Sequence, residues 1–306
     1  MSTALQTNFI KFYNSIKFDR GQNKQQLIQK SQQLVHSIRT YLKKNQLPSI
    51  KQVYNQGSYG GETGVKPTKG RDFDIDVALI FDIKIEDYKD PTIPKQWVKK
   101  AIDTHTHKQV EILPACVRVN YSNYHVDFAI YGLRNQVKHI AKGQKNSQPQ
   151  NKKWEPSPSK KLMEKLKKNL TGEEKAQYKR LICYLKRWKD ERFKAKTNEA
   201  PTGIALTVMV YQWFQPQIKN GLANDLKALQ VVLNQVKNNN YGLGIKLPMA
   251  PHNNLLEDIN QSSNHRTNYI KRMKALHQTI TAARQTQDSK AAAQLLQAQF
   301  GKDFPL

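Results

Sequence analysis

The chain has 306 residues, of which 38% are hydrophobic, and this composition is typical of a folded globular protein with a large core or two lobes. Its apolar stretches are shorter than the roughly 20 residues of a membrane-spanning helix, and its N-terminus lacks the pattern of a secretory signal, so we expect a cytoplasmic protein that does not enter a membrane. The 50 Lys and Arg residues outnumber the 24 Asp and Glu residues, and the net charge of +26 favours polyanionic partners such as nucleoside triphosphates, RNA or DNA.

The first half of the chain changes its hydrophobic period after an N-terminal helix. Apolar residues at helical spacing predict a helix over residues 5–45, which ends before Pro48. Alternating apolar residues then predict strands, with one helix between two of them. The predicted strands cover residues 50–54, 73–81, 109–121 and 125–131, and the predicted helix covers residues 94–103. Together these segments predict a mixed sheet with flanking helices.

The second half of the chain is predicted to be helical. Residues 141–160 are rich in Gly, Pro, Ser, Asn and Gln and have no apolar periodicity, which predicts a linker. Helical spacing dominates from there to the C-terminus. We therefore predict an α+β protein with a sheet domain over residues 1–150, including the N-terminal helix, and a helical domain over residues 151–306. The two cysteines, Cys116 and Cys183, lie in apolar segments and are predicted to be buried thiols.

Three carboxylates lie on predicted strands. Asp74 and Asp76 are two residues apart and therefore share one face of a strand, and Asp127 lies on a later strand between Val126 and Phe128. An Asp-x-Asp pair also occurs on solvated strands, but the apolar neighbours of these residues predict burial, and a buried charge is costly unless it is paired or binds a metal. Magnesium prefers oxygen ligands, and two such ions about 3.5–4 Å apart can hold the two reacting oxygens of a phosphoryl transfer.

Gly57 and Ser58 lie where the first predicted strand ends, 15 residues or more before the carboxylates. A glycine allows the backbone to approach a phosphate closely, and the serine hydroxyl can bond to it. An ordinary turn is the alternative interpretation of this pair. The order of Gly-Ser, Asp-x-Asp and a third Asp, each on a strand or at its end, favours a functional site that binds metal and phosphate over an ordinary turn and a solvated strand.

These motifs resemble those of the polymerase-beta-type nucleotidyltransferases, and more narrowly those of the cGAS/DncV-like enzymes of bacterial CBASS anti-phage systems. Residues 181–188 and 201–213 are in addition similar to the matching helices of oligoadenylate synthetases, so that the resemblance covers about residues 25–215. The motifs that carry it are Gln56-Gly57-Ser58, Asp72-Phe73-Asp74-Ile75-Asp76-Val77 and His125-Val126-Asp127-Phe128.

The resemblance implies a role for each matching residue. Asp74, Asp76 and Asp127 would bind two Mg²⁺ ions, for which Mn²⁺ can substitute, and Asp127 would lie nearest the acceptor hydroxyl. The nucleotide-binding residues would be Gly57, Ser58, Lys186 and Thr202, which contact the donor triphosphate. From the residues alone, Lys186 is equally a solvated helix lysine and Thr202 a helix N-cap after Pro201.

We therefore expect an enzyme with a nucleotidyltransferase lobe, a helical lobe and an active site in the cleft between them. The expected product is a cyclic di- or trinucleotide, or a short oligonucleotide, that acts on a downstream effector in anti-phage defence. The basic stretch of residues 160–196 is the candidate surface for an activating RNA or DNA, or else a solvated helix face. Two alternatives remain: a transferase with another acceptor, such as an RNA 3′ end, a protein or a small molecule, and a catalytically silent nucleic-acid-binding protein.

Overall fold

The computed structural model describes residues 2–18, 22–69, 72–106, 108–122, 124–157, 159–167, 169–195 and 197–306. The chain forms two compact units. The helical unit contains residues 1–18, 62–71 and 164–306, and the sheet unit contains residues 19–61 and 72–163. None of the described helices is long and apolar enough to cross a membrane.

Helices occur in both units and dominate the second half of the chain. In chain order they are α1 (Ser2–Ile16), α2 (Gln22–Lys44), α3 (Gly57–Gly60), α4 (Thr92–Asp103), α5 (Ser159–Leu166), α6 (Gly172–Arg192), α7 (Gly203–Trp213), α8 (Asp225–Asn238), α9 (Glu257–Asn260), α10 (Ser263–Gln285) and α11 (Ser289–Phe300). Short 3₁₀ turns cover Pro149–Asn151 and Asn240–Gly242.

The sheet unit is built on one mixed sheet. In chain order the strands of the protein are β1 (Ile50–Asn55), β2 (Phe73–Lys84), β3 (Val110–Ile112), β4 (Val117–Asn120), β5 (Tyr124–Arg134), β6 (Val137–Lys142), β7 (Lys153–Pro156), β8 (Ile218–Lys219) and β9 (Leu222–Ala223). The first seven form one sheet, whose main strand order is β1-β2-β5-β4-β3. In addition, β6 pairs with β5 and β7 pairs with β6. Strands β2 and β5 are parallel and the other pairs are antiparallel. The helical residues and this mixed sheet confirm the predicted α+β class.

The long strand β2 has the alternation that the sequence predicts. Phe73, Ile75 and Val77 are buried, whereas Asp74 is exposed and Asp76 is partly exposed. From Val77 to Phe81 both faces of the strand are buried, so Asp74 and Asp76 lie at its polar beginning, just before its apolar centre. This pattern is typical of a strand that begins with one face in the core and the other toward solvent.

The single helix predicted over residues 5–45 is wrong, because the chain forms α1 and α2 instead. Helix α1 ends at Ile16, whose carbonyl accepts a hydrogen bond from the Lys66 amide at 2.7 Å, and the Phe18 amide bonds to the Gly64 carbonyl at 3.0 Å. The local sequence pattern does not indicate this pairing, because the segment that pairs with the end of α1 lies about 50 residues further along the chain. Residues 19–21, which the same prediction covered, lie outside the described residues.

The predicted linker is also wrong in its local structure. Residues 141–160 contain the end of β6, a 3₁₀ turn and β7, and Trp154 on β7 donates a hydrogen bond to the Tyr88 carbonyl at 2.7 Å. The segment lacks apolar periodicity because β7 is a short edge strand, which needs few apolar residues.

The compact units do not follow the predicted division into residues 1–150 and 151–306, since α1 belongs to the helical unit. Phe9 and Phe12 on α1 are fully buried and pack their rings against Tyr184 on α6 at 5.1 and 5.4 Å and against Phe304 at 5.2 and 5.1 Å. This aromatic cluster joins the two ends of the chain in one core. Cys116 and Cys183 are free and buried, as predicted, and burial raises the pKa of their thiols to about 12 and about 11.

Lys95 on α4 is a fully buried cation in the sheet unit. Its amine donates hydrogen bonds to the carbonyls of Leu113, Pro114 and Gly143 at 2.8, 2.9 and 2.7 Å. It therefore fastens α4 to the turn between β3 and β4 and to the chain that follows β6. Burial lowers the pKa of Lys95 to about 8 from its ordinary value of 10.5.

We expect Lys95→Met to destabilise the protein by about 2 kcal/mol, because the carbonyls lose a charged donor while the release of a buried charge offsets part of the loss. Between pH 8 and 10.5 the unfolded chain holds a proton on Lys95 that the folded chain does not. The free energy of unfolding of the wild type, relative to that of the variant, should therefore rise with pH through this range. Denaturant unfolding at several pH values measures both effects, with Lys100→Met, at an exposed position of the same helix, as the control. A Lys95→Met protein as stable as the control would contradict this role.

Candidate active site

The three predicted carboxylates meet on two neighbouring strands. In the parallel pairing of β2 with β5, Asp76 lies opposite Asp127 and Asp74 lies opposite His125. Because side chains alternate along both strands, the three carboxylates project from one face of the sheet. The structure thus places Asp74, Asp76 and Asp127 on one face of two neighbouring strands, and their role as metal ligands stays a prediction.

Arg118 on β4 completes this cluster from the other side of β5. The antiparallel pairing of β4 with β5 sets Arg118 opposite Asp127. The Arg118 Nε donates to Asp127 Oδ1 at 2.8 Å and its Nη2 donates to Asp127 Oδ2 at 2.7 Å, which is a two-pronged ion pair. The same Nη2 lies 3.5 Å from Asp74 Oδ1. One guanidinium therefore contacts carboxylates from two strands.

Burial differs strongly between the two carboxylates that Arg118 contacts. The side chain of Asp127 is 11% exposed and that of Asp74 is 51% exposed. Burial raises the pKa of Asp74 above its ordinary value, the charge of Arg118 opposes this rise, and the neighbouring Asp127 adds to it. The hydrogen bonds to Asp127 raise the pKa of Arg118, so the guanidinium stays charged at any working pH. The buried Asp127 is thus stabilised by a permanent positive partner.

Gly57 lies directly against Asp76. Its φ angle is +64°, and a Cβ at this position would lie 2.1 Å from Asp76 Oδ2. Glycine is therefore required here both for the left-handed backbone and for the close approach. Ser58 follows as the second residue of α3, so the predicted Gly-Ser pair does lie at a strand-to-helix junction beside the carboxylates.

Gln56 connects this junction to β2 and β5. Its backbone amide donates to the Asp76 carbonyl at 2.9 Å, and its side-chain Oε1 accepts from the Tyr131 hydroxyl at 3.0 Å. Tyr131 is buried and lies on the same face of β5 as Asp127, four residues further along. The residue before Gly57 is therefore held by both strands that carry the carboxylates.

Lys186 and Thr202 lie in the helical unit, next to each other. The Lys186 Cε is 3.5 Å from a Cβ built on Gly203, the residue after Thr202. In this structure the Lys186 amine is buried and donates to the backbone carbonyl of Thr63 at 2.9 Å and to its hydroxyl at 3.1 Å. The Thr202 hydroxyl caps α7 by accepting from the Ala205 amide at 3.3 Å. Their contact with a donor triphosphate stays a prediction, as does the location of the active site in a cleft.

Two features of the site were not predicted from the sequence. One is Arg118, and the other is the pair of His125 and Asp72, in which the His125 Nε2 lies 3.0 Å from the Asp72 Oδ2. A signal for Arg118 exists, because it is flanked by Val117 and Val119 and so stands as a lone charge in an apolar strand. The sequence does not tell which carboxylate it would meet.

The donor set of this site suits a divalent cation in its chemistry. Carboxylate oxygens are the ligands that magnesium prefers, and the contacts of Arg118 demonstrate that Asp127 and Asp74 can face one positive charge together. In the part of the chain that the structure describes, no three His, Cys, Asp or Glu side chains are already gathered as a metal site. Two of the carboxylates, Asp127 and Asp74, instead contact the guanidinium of Arg118.

Two family models match the chain. The nucleotidyltransferase domain of the cyclic GMP-AMP synthase DncV-like proteins matches residues 51–131, which contain the Gly-Ser pair and all three carboxylates. The C-terminal domain of cyclic GMP-AMP synthase matches residues 176–305. The two models together span more than half of the chain.

Several solved structures share the fold of this chain. The 3′-deoxy GTP-bound form of Escherichia coli DncV matches with a TM-score of 0.72 and 14% sequence identity, over 95% of this chain and 93% of that chain. Vibrio cholerae DncV cyclic AMP-GMP synthase in complex with the linear intermediate pppA(3′,5′)pG has a TM-score of 0.66 and 14% identity, over 83% and 69%. Its complex with nonhydrolyzable GTP has the same score and identity, over 83% and 70%. Likeness at this level of identity establishes the fold.

The sheet with its three carboxylates and the matching family model define this protein as an enzyme of the nucleotidyltransferase class. Since the C-terminal model matches as well, the chain belongs to the cGAS/DncV-like nucleotidyltransferases. The resemblance of the sequence motifs to those of cGAS/DncV-like nucleotidyltransferases is thereby confirmed.

We expect Gly57→Ala to lower kcat/KM for nucleotidyl transfer by roughly 100-fold, because the new methyl group displaces the Asp76 carboxylate. Its cost in stability should be only about 1 kcal/mol, the ordinary cost of alanine at a positive φ angle. Pyrophosphate release and thermal unfolding measure the two effects.

Gly221→Ala is the matched control for this variant. Gly221 has a φ angle of +74°, and nothing lies within 4 Å of a Cβ built there. It should show a similar loss of stability with unchanged activity. Equal activity of the two variants would show that the contact between Gly57 and Asp76 has no part in catalysis.

Proposed function

We propose that this protein joins ribonucleoside triphosphates into a cyclic di- or trinucleotide second messenger, in a reaction that depends on Mg²⁺. The observation that carries the proposal is the strand register that sets Asp76 beside Asp127, with Asp74 on the same face and Gly57 in contact with Asp76. The description of the Vibrio cholerae relative as a cyclic AMP-GMP synthase, and its complex with a linear dinucleotide intermediate, support a cyclic product.

The proposed chemistry consists of two similar displacements for a cyclic dinucleotide, and of three for a trinucleotide. A ribose hydroxyl oxygen of one nucleotide attacks the α-phosphorus of a second triphosphate, the bond from this phosphorus to the bridging oxygen breaks, and pyrophosphate leaves. The linear product keeps a 5′-triphosphate, which the hydroxyl at its other end attacks in the closing step. Each step transfers the hydroxyl proton to a base or to solvent and releases one pyrophosphate.

Asp74, Asp76 and Asp127 are the proposed ligands of two Mg²⁺ ions, which would neutralise triphosphate charge and make the attacking hydroxyl more acidic. We propose that Gly57, whose lack of a side chain makes room for the Asp76 carboxylate, and Ser58 bind the donor phosphates through their backbone amides and the Ser58 hydroxyl. Lys186 and Thr202 are the proposed donor contacts from the helical unit. For this role Lys186 would exchange its present partner, Thr63, for a phosphate oxygen.

We further propose a role in anti-phage defence, which the family resemblance implies. In this role a downstream effector binds the nucleotide product. The net charge of +26 favours an activating RNA or DNA on the basic surface, because such a surface releases counterions when it binds nucleic acid. Activation should therefore weaken steeply as the salt concentration rises.

The test is to incubate the purified protein with all four radiolabelled NTPs and Mg²⁺, with and without RNA, and to treat the products with phosphatase before separating them. We expect a phosphatase-resistant small product. Asp76→Asn should reduce it by roughly 10³-fold or more, the scale on which charge stabilisation acts in phosphoryl transfer. Asp82→Asn removes an exposed carboxylate from the same strand, where Asp82 pairs with Lys51 at 3.7 Å, and should keep full activity.

Other outcomes separate the alternatives. Pyrophosphate release only after an RNA 3′ end, a protein or a small molecule is added would identify a transferase with that acceptor. Salt-dependent RNA binding without release of pyrophosphate in any mixture would identify a silent nucleic-acid-binding protein. Full activity of Asp76→Asn would overturn the role of the carboxylates.

A further inference from the structure

The carboxylate site already contains a cation that belongs to the protein. Arg118 uses two nitrogens to contact both oxygens of Asp127, and one of these nitrogens also reaches Asp74. The Arg118 side chain is only 25% exposed, so water screens its charge incompletely. These oxygens are the same atoms that a divalent ion would need.

A metal ion bound to Asp127 would therefore stand close to a like charge. At about 4 Å, two positive charges repel strongly in the partly desolvated environment of a protein. In addition, a guanidinium bonded to both oxygens leaves Asp127 with fewer free lone pairs for a metal. Arg118 and a divalent ion thus oppose each other on this carboxylate.

We propose that Arg118 is the resident counterion of the carboxylate site and that it competes with divalent metal for Asp127 and Asp74. This inference rests on the metal-binding role given to these carboxylates in the proposed function. It implies that the nucleotide-free protein binds metal weakly. A triphosphate supplies anionic oxygens to which Arg118 can turn, so that metal and substrate bind with positive coupling.

The test measures Mn²⁺ binding to the nucleotide-free protein by electron paramagnetic resonance of the free ion, at constant ionic strength. Arg118→Gln should bind Mn²⁺ about tenfold more tightly than the wild type, because the competing charge is gone. With a nonhydrolysable triphosphate present, this difference should shrink, since the wild-type Arg118 then has another partner.

Arg134→Gln is the matched control, because it removes one arginine from β5 that pairs with Glu86 at an exposed position. It loses the same net charge and should bind Mn²⁺ as the wild type does. Arg118→Lys keeps the charge and loses the two-pronged contact, and should give an affinity between those of the wild type and Arg118→Gln. This variant also provides the answer if Arg118→Gln fails to fold.

Two results would overturn the inference. Equal or weaker Mn²⁺ binding by Arg118→Gln, beside a wild type that binds Mn²⁺, would mean that Arg118 only holds the carboxylates in place. Absence of Mn²⁺ binding in every protein, with nucleotide present as well and beyond the Mn²⁺ that the triphosphate alone binds, would overturn the metal role of the carboxylates and this inference with it.

Discussion

The parallel pairing of β2 with β5 is the interaction on which the candidate site depends. It sets Asp76 opposite Asp127, and the antiparallel pairing of β4 with β5 then sets Arg118 against the same residue. A slip of one residue in either pairing would turn these side chains to the opposite face of the sheet. The buried residues Phe73, Ile75 and Val77 oppose such a slip, because it would expose them and turn the carboxylates into the core. The packing of the core and the geometry of the site therefore require the same strand register.

The whole chain is positively charged, whereas the candidate site is rich in negatively charged side chains. The chain as a whole carries +26, which draws polyanions toward it, while the beginning of β2 and β5 gathers carboxylates. An anionic substrate can approach such a cluster only if cations neutralise it. Arg118 supplies one internal cation, and we propose that metal ions supply the rest. The overall charge thus attracts anionic substrates to the protein, and the cations at the site allow the same substrates to approach the carboxylates.

The Gly-Ser junction is held by its contacts with the carboxylate strands. Gly57 touches Asp76, and Gln56 bonds to β2 through its backbone and to Tyr131 on β5 through its side chain. Within the helical unit, Lys186 holds the segment that follows this junction, through Thr63. Lys186, which is predicted to bind phosphate, therefore donates hydrogen bonds to Thr63 in this structure. To bind a phosphate it would have to exchange these hydrogen bonds for bonds to the phosphate oxygens.

The sequence by itself determined the α+β class, the burial of β2 around its two carboxylates and the candidates Gly57, Ser58, Asp74, Asp76 and Asp127. These follow from local properties, namely the alternation of apolar residues and the backbone freedom of glycine. Only the tertiary structure decided that α1 ends at Ile16, that residues 153–156 form an edge strand, and that Arg118 faces Asp127. Each of these depends on a partner distant in the chain or on a strand register. Local periodicity carries no information on which segments will pair.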